Sequence, residues 1–163
     1  MYRLVVLVSS DSGYRGQRED KSGPYLKELM ERAGYEVIDV KVLPDDQKML
    51  AQYMKEICET SRADLILTSG GTGLSQRDCT PEATLEVVER LVPGIGEAMR
   101  AYSMQFTKRA MFSRAIAGVC KKTLIINLPG SPKAVKECME AIIDELPHAL
   151  GILLGSEGEC GRV

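Results

Sequence analysis

The chain has 163 residues, of which 44% are hydrophobic and 27% are charged, and its formal net charge is −2. This length is most simply one domain, covering residues 1–163, and it buries roughly two thirds of its unfolded surface without needing disulfides or a structural metal. The slightly negative charge argues against nucleic-acid binding, which needs a basic surface to displace counterions.

The first half of the chain alternates short apolar runs with segments of helical period. Apolar runs rich in β-branched residues predict buried strands, and apolar residues at three- and four-residue steps predict amphipathic helices. In chain order the predicted elements are a strand at residues 4–8, a long loop at 9–23, a helix from Ser22 to a C-cap at Gly34, a strand at 36–40, a helix after Pro44 capped by Asp45 or Asp46, and a strand at 64–68.

This alternation predicts an α/β fold, a three-layer sandwich with a mainly parallel central sheet and helices on both faces. Ligands of such sheets bind beyond the carboxyl ends of the strands. The segments expected there are the loop 9–23, the turn near Pro44, and the motif TSGGTGLSQRDCTPE at 68–82. A pair of later strands, at 115–120 and 124–127, leads into a second loop, NLPGSPK, at 127–133.

The glycine motif predicts a phosphate cradle. Glycines permit positive φ and close backbone approach, so successive amides and nearby hydroxyls can point at one anion. A tight strand-to-helix turn is the alternative, and the motif matches neither the P-loop nor the dinucleotide fingerprint. The candidate phosphate-binding residues are Ser69, Gly70, Gly71, Thr72 and Gly73.

The residues that follow the cradle predict the start of a helix. Thr80 is expected as the N-cap, Pro81 at the first helical position and Glu82 in the first turn. Helix initiation alone explains these three residues. It does not explain Asp78, which precedes the predicted cap.

Two acids, Asp45 and Asp78, are expected at the same rim of the sheet. Each alone fits a helix cap or a solvated loop acid. Together they could act as an acid and a base, or hold Mg2+, which binds through one or two carboxylates plus the phosphates of a substrate. A cation between carboxylate and phosphate would explain why acids lie beside a phosphate cradle.

The second loop also has features of an anion site. Lys133 follows Ser131 at a helix start, where a cation opposes the helix dipole unless an anion binds there. A solvated lysine is the alternative. Ser113 and Arg114 could bring a further hydroxyl and guanidinium to the same ligand.

These motifs resemble those of a known family. TSGGTGLSQRDCTPEAT is similar to the T-[TS]-G-G-T-G-x-x-x-R-D-x-T-P-[ED]-A-T signature of the MogA/MoaB family of molybdenum cofactor biosynthesis. The segments VSSDS, DKSG, LPDD, PGIGEAMR, FSRAIAG and NLPGSPKAVKEC resemble family segments in the same order. The resemblance therefore covers nearly the whole chain.

The resemblance implies a molybdopterin-binding fold and an enzyme that transfers AMP from Mg-ATP to molybdopterin. It implies a homotrimer or higher homo-oligomer, and contact with other proteins of cofactor biosynthesis. Asp45 and Asp78 are similar to the two essential acids of the family and are expected to be catalytic and to hold Mg2+. The residues expected around the pterin are Ser113, Arg114, Pro129, Gly130, Ser131 and Lys133.

One alternative within the family stays open. MoaB-type members imply a pterin-binding carrier or partner without adenylyl transfer, although both acids are present here. The cellular compartment is expected to be the cytoplasm, because no apolar run is long enough for a signal peptide or a membrane span, and because the cysteines have no C-x-x-C spacing and read as reduced thiols. These are Cys58, Cys79, Cys120, Cys138 and Cys160.

Overall fold

The computed structural model describes residues 1–157, which form a six-stranded sheet covered by helices. The strands are β1 (Arg3–Ser9), β2 (Glu36–Leu43), β3 (Leu65–Ser69), β4 (Arg90–Leu91), β5 (Ala117–Cys120) and β6 (Thr123–Leu128). The helices are α1 (Asp11–Tyr14), α2 (Ser22–Arg32), α3 (Gln47–Glu59), α4 (Thr80–Val87), α5 (Pro93–Ser103), α6 (Pro132–Ile142) and α7 (Leu146–Leu154), with 3-10 turns at Lys108–Phe112 and Ile143–Glu145.

The strand order is β2-β1-β3-β6-β5-β4. The first four strands in this order pair in parallel, whereas β5 is antiparallel to both β6 and β4. The chain moves outward from β1 to β2 and then returns to the other side of β1 with β3. The carboxyl ends of β1 and β3 therefore form the switch point at which α/β proteins bind ligands.

Helices cover both faces of the sheet, as predicted. On one face the even-numbered side chains of β1, such as Leu4 and Val6, pack with buried residues of α2, α5, α6 and α7. On the other face Val5 and Leu7 pack with buried residues of α3 and α4. Side chains alternate between the faces of a strand, so a central strand buried on both sides has to be continuously apolar.

Two predicted helix ends, the end of α2 and the start of α3, can be compared with the structure. The C-cap of α2 is Ala33, and the predicted Gly34 is the residue directly after it, at φ +93°, a conformation that glycine adopts without strain. Asp46, and not Asp45, is the N-cap of α3, since its side chain accepts a hydrogen bond from the Met49 amide. Asp45 is thereby left to face the carboxyl end of the sheet.

Some predictions were wrong or incomplete. Thr80 is not the N-cap of α4: it is the first helical residue, the cap is Cys79, and Pro81 occupies the second position. The Thr80 hydroxyl is buried without a hydrogen-bond partner and so caps no amide, while the Thr80 amide is bonded to the Gly71 carbonyl oxygen, 3.1 Å away, which ties this helix start to the glycine loop. The loop at 9–23 contains the short helix α1, while α5 and β4 were not predicted.

The cysteine prediction holds where the structure describes it. Cys58, Cys79, Cys120 and Cys138 are free thiols, and Cys160 lies outside the described residues. Between residues 1 and 157, no helix combines the length and the apolar character needed to cross a bilayer.

Candidate active site

The loops that follow β1 and β3 enclose a cavity of about 810 Å³ at the switch point. We call it the polar cavity, because carboxylates, hydroxyls and cationic side chains make up most of its wall. Its charged wall residues are three basic and five acidic: Arg15, Arg18, Lys21, Asp11, Glu19, Asp20, Asp45 and Asp78. The acidic excess suits a ligand that brings both phosphate and a metal cation, because phosphate alone would be repelled.

A second cavity of about 290 Å³ lies nearby and is named here the apolar cavity. Its wall includes Met99, Phe112, Ala115 and Pro129, together with a few polar side chains. Its size is at the lower end of the range for small-molecule pockets, about 300 to 1,000 Å³. The two cavities therefore offer a charged compartment and a mainly hydrophobic one in the same domain.

The glycine loop lies between these cavities. Ser69, Gly70 and Gly71 line the polar cavity, whereas Thr72 and Gly73 line the apolar one. The loop turns through positive φ at Gly70 (+96°) and Gly71 (+70°), and a Cβ at Gly70 would lie 2.4 Å from the Ser9 carbonyl oxygen. Only glycine fits there, because any side chain would meet backbone in a strained conformation.

Asp45 is held by the first turn after β1. The Ser9 hydroxyl donates to Oδ1 at 2.5 Å and the Asp11 amide donates to Oδ2 at 3.1 Å. In return, the Asp45 amide donates to the Asp11 carboxylate at 2.9 Å. This reciprocal pair fixes the direction of the Asp45 carboxylate while leaving each of its oxygens a free lone pair.

Asp11 is also bound by an arginine of the glycine motif. Arg77 donates through Nε and through a terminal nitrogen to the two Asp11 oxygens, at 3.0 and 2.9 Å. Such fork-to-fork pairs are directional as well as attractive. The hydrogen bond from Arg77 is the largest factor that lowers the pKa of the Asp11 carboxyl below its ordinary 3.8, and it outweighs the opposing effect of desolvation.

Asp78 lies at the other end of the glycine motif. Its Oδ2 accepts a hydrogen bond from the Ser75 amide at 3.1 Å, and it lines the polar cavity together with Asp45. Hard oxygen ligands of this kind fit Mg2+, which uses one or two carboxylates and completes its shell with water and phosphate. Within residues 1–157 no group of three acids, histidines or cysteines forms a metal cage, so a cation here would need oxygens of the substrate.

Arg114 holds the glycine motif in place through hydrogen bonds to its backbone. Its guanidinium donates to the Gly73 carbonyl at 2.8 Å and to the Asp78 carbonyl at 3.0 Å, and it pairs with the Glu82 carboxylate. Its own amide donates to the Thr72 carbonyl at 2.8 Å. One side chain therefore connects both ends of the motif to the start of α4, which is a supporting role different from the predicted contact with pterin.

The second loop divides in the same way as the first. Gly130 and Ser131 line the polar cavity, while Pro129 lines the apolar one. The Ser69 hydroxyl donates to the Pro129 carbonyl at 2.9 Å, which joins the two loops. Ser131 caps α6 by accepting from the Ala134 amide, and Lys133 is exposed and does not line either cavity.

The sequence and structure comparisons agree on the family. A family model described as "Probable molybdopterin binding domain" matches residues 5–148. The chain belongs to this family. It is 37% identical over 155 residues to a molybdopterin adenylyltransferase from Helicobacter pylori, which covers 94% of this chain and 88% of that protein.

Two further relatives confirm the resemblance to MogA and MoaB proteins. A molybdopterin adenylyltransferase from Escherichia coli is 39% identical over 145 residues, or 87% of this chain and 74% of that protein. The crystal structure of the molybdopterin biosynthesis enzyme MoaB from Thermus thermophilus has a TM-score of 0.90 and 43% identity, over 95% of this chain and 98% of that chain. The predicted fold class is confirmed.

Of the residues predicted for this molybdopterin-binding domain, most line one of its two cavities. Asp45, Asp78, Ser69, Gly70 and Gly71 lie around the polar cavity together with Gly130 and Ser131, and Thr72, Gly73, Ser113 and Pro129 around the apolar one. The pair of Asp11 and Arg77 was missed. Asp11 follows directly after β1, at the carboxyl edge of the sheet, so its position was the available signal.

Proposed function

We propose that this protein is a molybdopterin adenylyltransferase of molybdenum cofactor biosynthesis. The reaction would join AMP from Mg-ATP to the terminal phosphate of molybdopterin and release pyrophosphate. The main support is that one glycine loop lines two cavities of opposite character, one suited to phosphates with a cation and one suited to a ring. The relatives from H. pylori and E. coli carry the name of this activity.

The bond changes of the proposed step are simple. A terminal phosphate oxygen of molybdopterin attacks the α-phosphorus of ATP, the bond from that phosphorus to the bridging oxygen breaks, and pyrophosphate leaves with the electron pair. A phosphate monoester is largely dianionic at pH 7, because its second pKa is about 6, so the attack needs no general base. Catalysis then consists of aligning two anions and reducing their repulsion.

The nucleotide phosphates are assigned to the polar cavity. Among the described residues the Gly71 amide is the donor of this turn that is left for a phosphate. The Gly70 amide already donates to the Leu128 carbonyl oxygen, and the Ser69 hydroxyl donates to the Pro129 carbonyl oxygen. Thr72 and Gly73 continue the loop toward the apolar cavity, which brings the reacting phosphate of the second substrate to the same turn. This arrangement is the reason to assign the loop to phosphate and not to a simple strand-to-helix connection.

Asp45 and Asp78 are assigned as the catalytic acids that hold Mg2+. Mg2+ when bound supplies positive charge that screens the phosphates from each other and from the two carboxylates. The hydrogen bonds from Ser9 and Asp11 would direct the Asp45 carboxylate, and the bond from Ser75 would direct that of Asp78.

The pterin is assigned to the apolar cavity, where Ser113 and Pro129 lie. Gly130 and Ser131, on the polar side of the same loop, would then approach the phosphate end of molybdopterin. Lys133 stands one residue inside α6 and would attract that phosphate over a longer range. Arg114 would contribute indirectly, by fixing the backbone conformation of the glycine motif.

The proposed enzyme also has an expected domain organisation, cellular compartment and oligomeric state. The single domain over residues 1–163 is inferred from the chain length and the cytoplasmic location from the scattered cysteines, whereas a homotrimer or higher homo-oligomer, and contact with other proteins of cofactor biosynthesis, are what the family resemblance implies. Sedimentation analysis of the purified protein tests the oligomer directly. A monomer at micromolar concentration would exclude a stable trimer.

A second candidate function is that of a pterin-binding carrier without adenylyl transfer. The observation that favours it is the 43% identity to a structure named MoaB. Both candidates require pterin binding, and only the enzyme requires Asp45 and Asp78 to be placed for a metal nucleotide. The presence of both acids around one cavity favours the enzyme.

The deciding experiment measures pyrophosphate release from Mg-ATP in the presence of molybdopterin. We expect fast release by the wild-type protein, a loss of about a hundredfold or more in the Asp78→Asn variant, and no change in Asp144→Asn, an exposed acid away from both cavities. If the wild-type rate equals that of Asp78→Asn while all three proteins bind molybdopterin, the protein is a carrier.

A further inference from the structure

Glu137 of α6 is a buried acid that the proposed reaction leaves without a role. Its residue is only 9% exposed, and its side chain lines the apolar cavity. Among residues 1–157 its carboxylate has neither a hydrogen bond nor an ion pair. One turn away on the same face of its helix stand Lys133, Ala134, Glu140 and Ala141, and Lys133 forms no ion pair with it.

Neither oxygen of this carboxylate is fully sealed from solvent, so the group opens onto the cavity and keeps only limited contact with water. Polar groups that are poorly hydrated are almost always bonded within a protein. An acid that only served the fold would be expected to form an ion pair. Its lack of a partner in the protein indicates that the partner comes from a ligand.

Arg100 lines the same cavity and does not neutralise Glu137. Its guanidinium donates to the carbonyl oxygens of Ser113 (3.3 Å) and Ala115 (2.7 Å). In the part of the chain that the structure describes, no contact of ion-pair length joins Glu137 to Arg100 or to Arg109, the other arginine on the cavity wall. The cavity therefore presents an acceptor and a donor to the space between its walls.

We propose that Glu137 recognises the 2-amino-4-oxopyrimidine edge of the pterin and makes the apolar cavity specific for it; this rests on the proposed function. That edge carries two adjacent donors, the ring N3–H and the 2-amino group, and a carbonyl acceptor beside them. A carboxylate accepts both donors at once through a bidentate, charge-assisted pair. Arg100 and Arg109, which both line the cavity, are the cationic donors available for the carbonyl oxygen.

The other walls of the cavity suit the faces of the same ring. Met99, Ala115 and Pro129 provide apolar contact, and the volume of about 290 Å³ fits a ligand of this size. A few placed polar groups within apolar walls are the usual way in which small-molecule sites obtain both affinity and orientation. Orientation matters here, because the pterin edge held by Glu137 directs the opposite, phosphate-bearing end of molybdopterin toward the glycine loop.

The test compares two stable probes that differ at one position. Pterin carries a 2-amino group, whereas lumazine carries a carbonyl there and so offers an acceptor to the Glu137 carboxylate. Binding of each is measured by fluorescence titration of the wild-type protein and of the Glu137→Gln and Glu140→Gln variants. Glu140 lies on the same helix, is exposed, and accepts a hydrogen bond from Tyr102, so its variant is the matched control.

We expect wild type and Glu140→Gln to prefer pterin over lumazine by about tenfold to a hundredfold, the discrimination typical of one bidentate pair. Glu137→Gln should lose this preference, since an amide can donate to the lumazine carbonyl. Its melting temperature should equal or exceed that of wild type, because the change removes an unpaired buried charge. In turnover, KM for molybdopterin should rise while KM for ATP stays constant.

The outcomes separate this inference from the proposed function. If wild type releases pyrophosphate but binds pterin and lumazine equally, or if Glu137→Gln keeps the preference, the role of Glu137 is wrong and the enzyme assignment stands. A lower melting temperature with unchanged preference would assign Glu137 to the fold. If wild type binds molybdopterin with no release of pyrophosphate, the enzyme assignment fails, and the preference between probes still decides the role of Glu137. No binding of any pterin overturns both.

Discussion

The two cavities on either side of the glycine loop differ in how their polar groups are satisfied. Around the polar cavity four of the five acids are already bonded, and the fifth, Glu19, is exposed. The bonds join Asp45 to Ser9 and Asp11, Asp11 to Arg77, Asp78 to Ser75, and Asp20 to Ser22. In the apolar cavity Glu137 has no partner among the described residues. The side chains around the polar cavity are therefore fixed in direction before a ligand binds, as electrostatic catalysis requires. In the apolar cavity the Glu137 carboxylate is left to accept hydrogen bonds from a ligand.

Substituting Asp45 removes the most important charge of the organised region. We expect Asp45→Asn to slow pyrophosphate release by about a hundredfold to a thousandfold, because one carboxylate for Mg2+ is lost. Pterin affinity should change little, since that substrate is assigned to the other cavity. Steady-state pyrophosphate release and a pterin titration measure the two effects.

The neighbouring acid supplies the control for this change. Asp46→Asn keeps a good N-cap for α3, because asparagine caps as well as aspartate, and should retain wild-type release. If Asp45→Asn and Asp46→Asn behave alike, the distinction between a site acid and a capping acid is wrong.

Gly70 lies in the loop between the two cavities, and adding a side chain there should distort the backbone of that loop. Gly70→Ala would place a Cβ 2.4 Å from the Ser9 carbonyl oxygen at φ +96°, so we expect a loss of about 3 kcal/mol in the free energy of unfolding. Urea denaturation measures it. Gly94→Ala, in a helix and with open space around it, should be neutral or slightly stabilising, and a similar loss there would argue against the loop as the cause.

Substituting Arg114 tests whether the glycine loop depends on a guanidinium group that donates to two backbone carbonyls at once. Arg114→Lys keeps the positive charge and the ion pair with Glu82 but cannot reach the Gly73 and Asp78 carbonyls together. We expect a loss of about 1–2 kcal/mol in stability, seen by thermal unfolding. Because the loop lines both cavities, KM should rise for both substrates. A rise for only one of them would show that the support acts on one side of the loop.

The smallest expected effect concerns pH. The Arg77 hydrogen bond lowers the pKa of Asp11 in the folded protein, so the stability from this pair is present above the ordinary pKa of 3.8 and is lost as the pH falls through the lowered value. The denaturation midpoint of Asp11→Asn should therefore fall less between pH 6 and pH 3 than that of wild type. Arg77→Gln should flatten the profile in the same way, and an unchanged wild-type slope in both variants would exclude the pair as its source.

Much of the fold could be predicted from the sequence, because strands buried on both faces have continuous apolar runs and amphipathic helices have their own period. The approximate place of Asp45 and Asp78 also followed, since parallel strands bring their carboxyl ends to one edge. The N-cap of α4 was mispredicted because local preference favours Thr80, whereas in the structure its hydroxyl caps no amide and its own amide is bonded to the Gly71 carbonyl oxygen.

The apolar cavity was harder to predict, for physical reasons. Glu137 has the sequence appearance of a solvated residue on an amphipathic helix, and it is enclosed because α5 packs against α6 and carries the turn at Lys108–Phe112 to the opposite wall of the cavity. The pairing of Asp11 with Arg77 joins residues 66 positions apart. Sequence spacing carries no information on such contacts without knowledge of the loop paths.

The glycine loop that lines both cavities makes the two binding events thermodynamically linked. A substrate that shifts the loop changes the walls of both cavities, so its binding would alter the affinity for the other substrate. Each substrate must then change the affinity of the other by the same factor, as linkage requires. In the proposed reaction, the departure of pyrophosphate from the polar side would thereby also change how tightly the adenylated pterin is held.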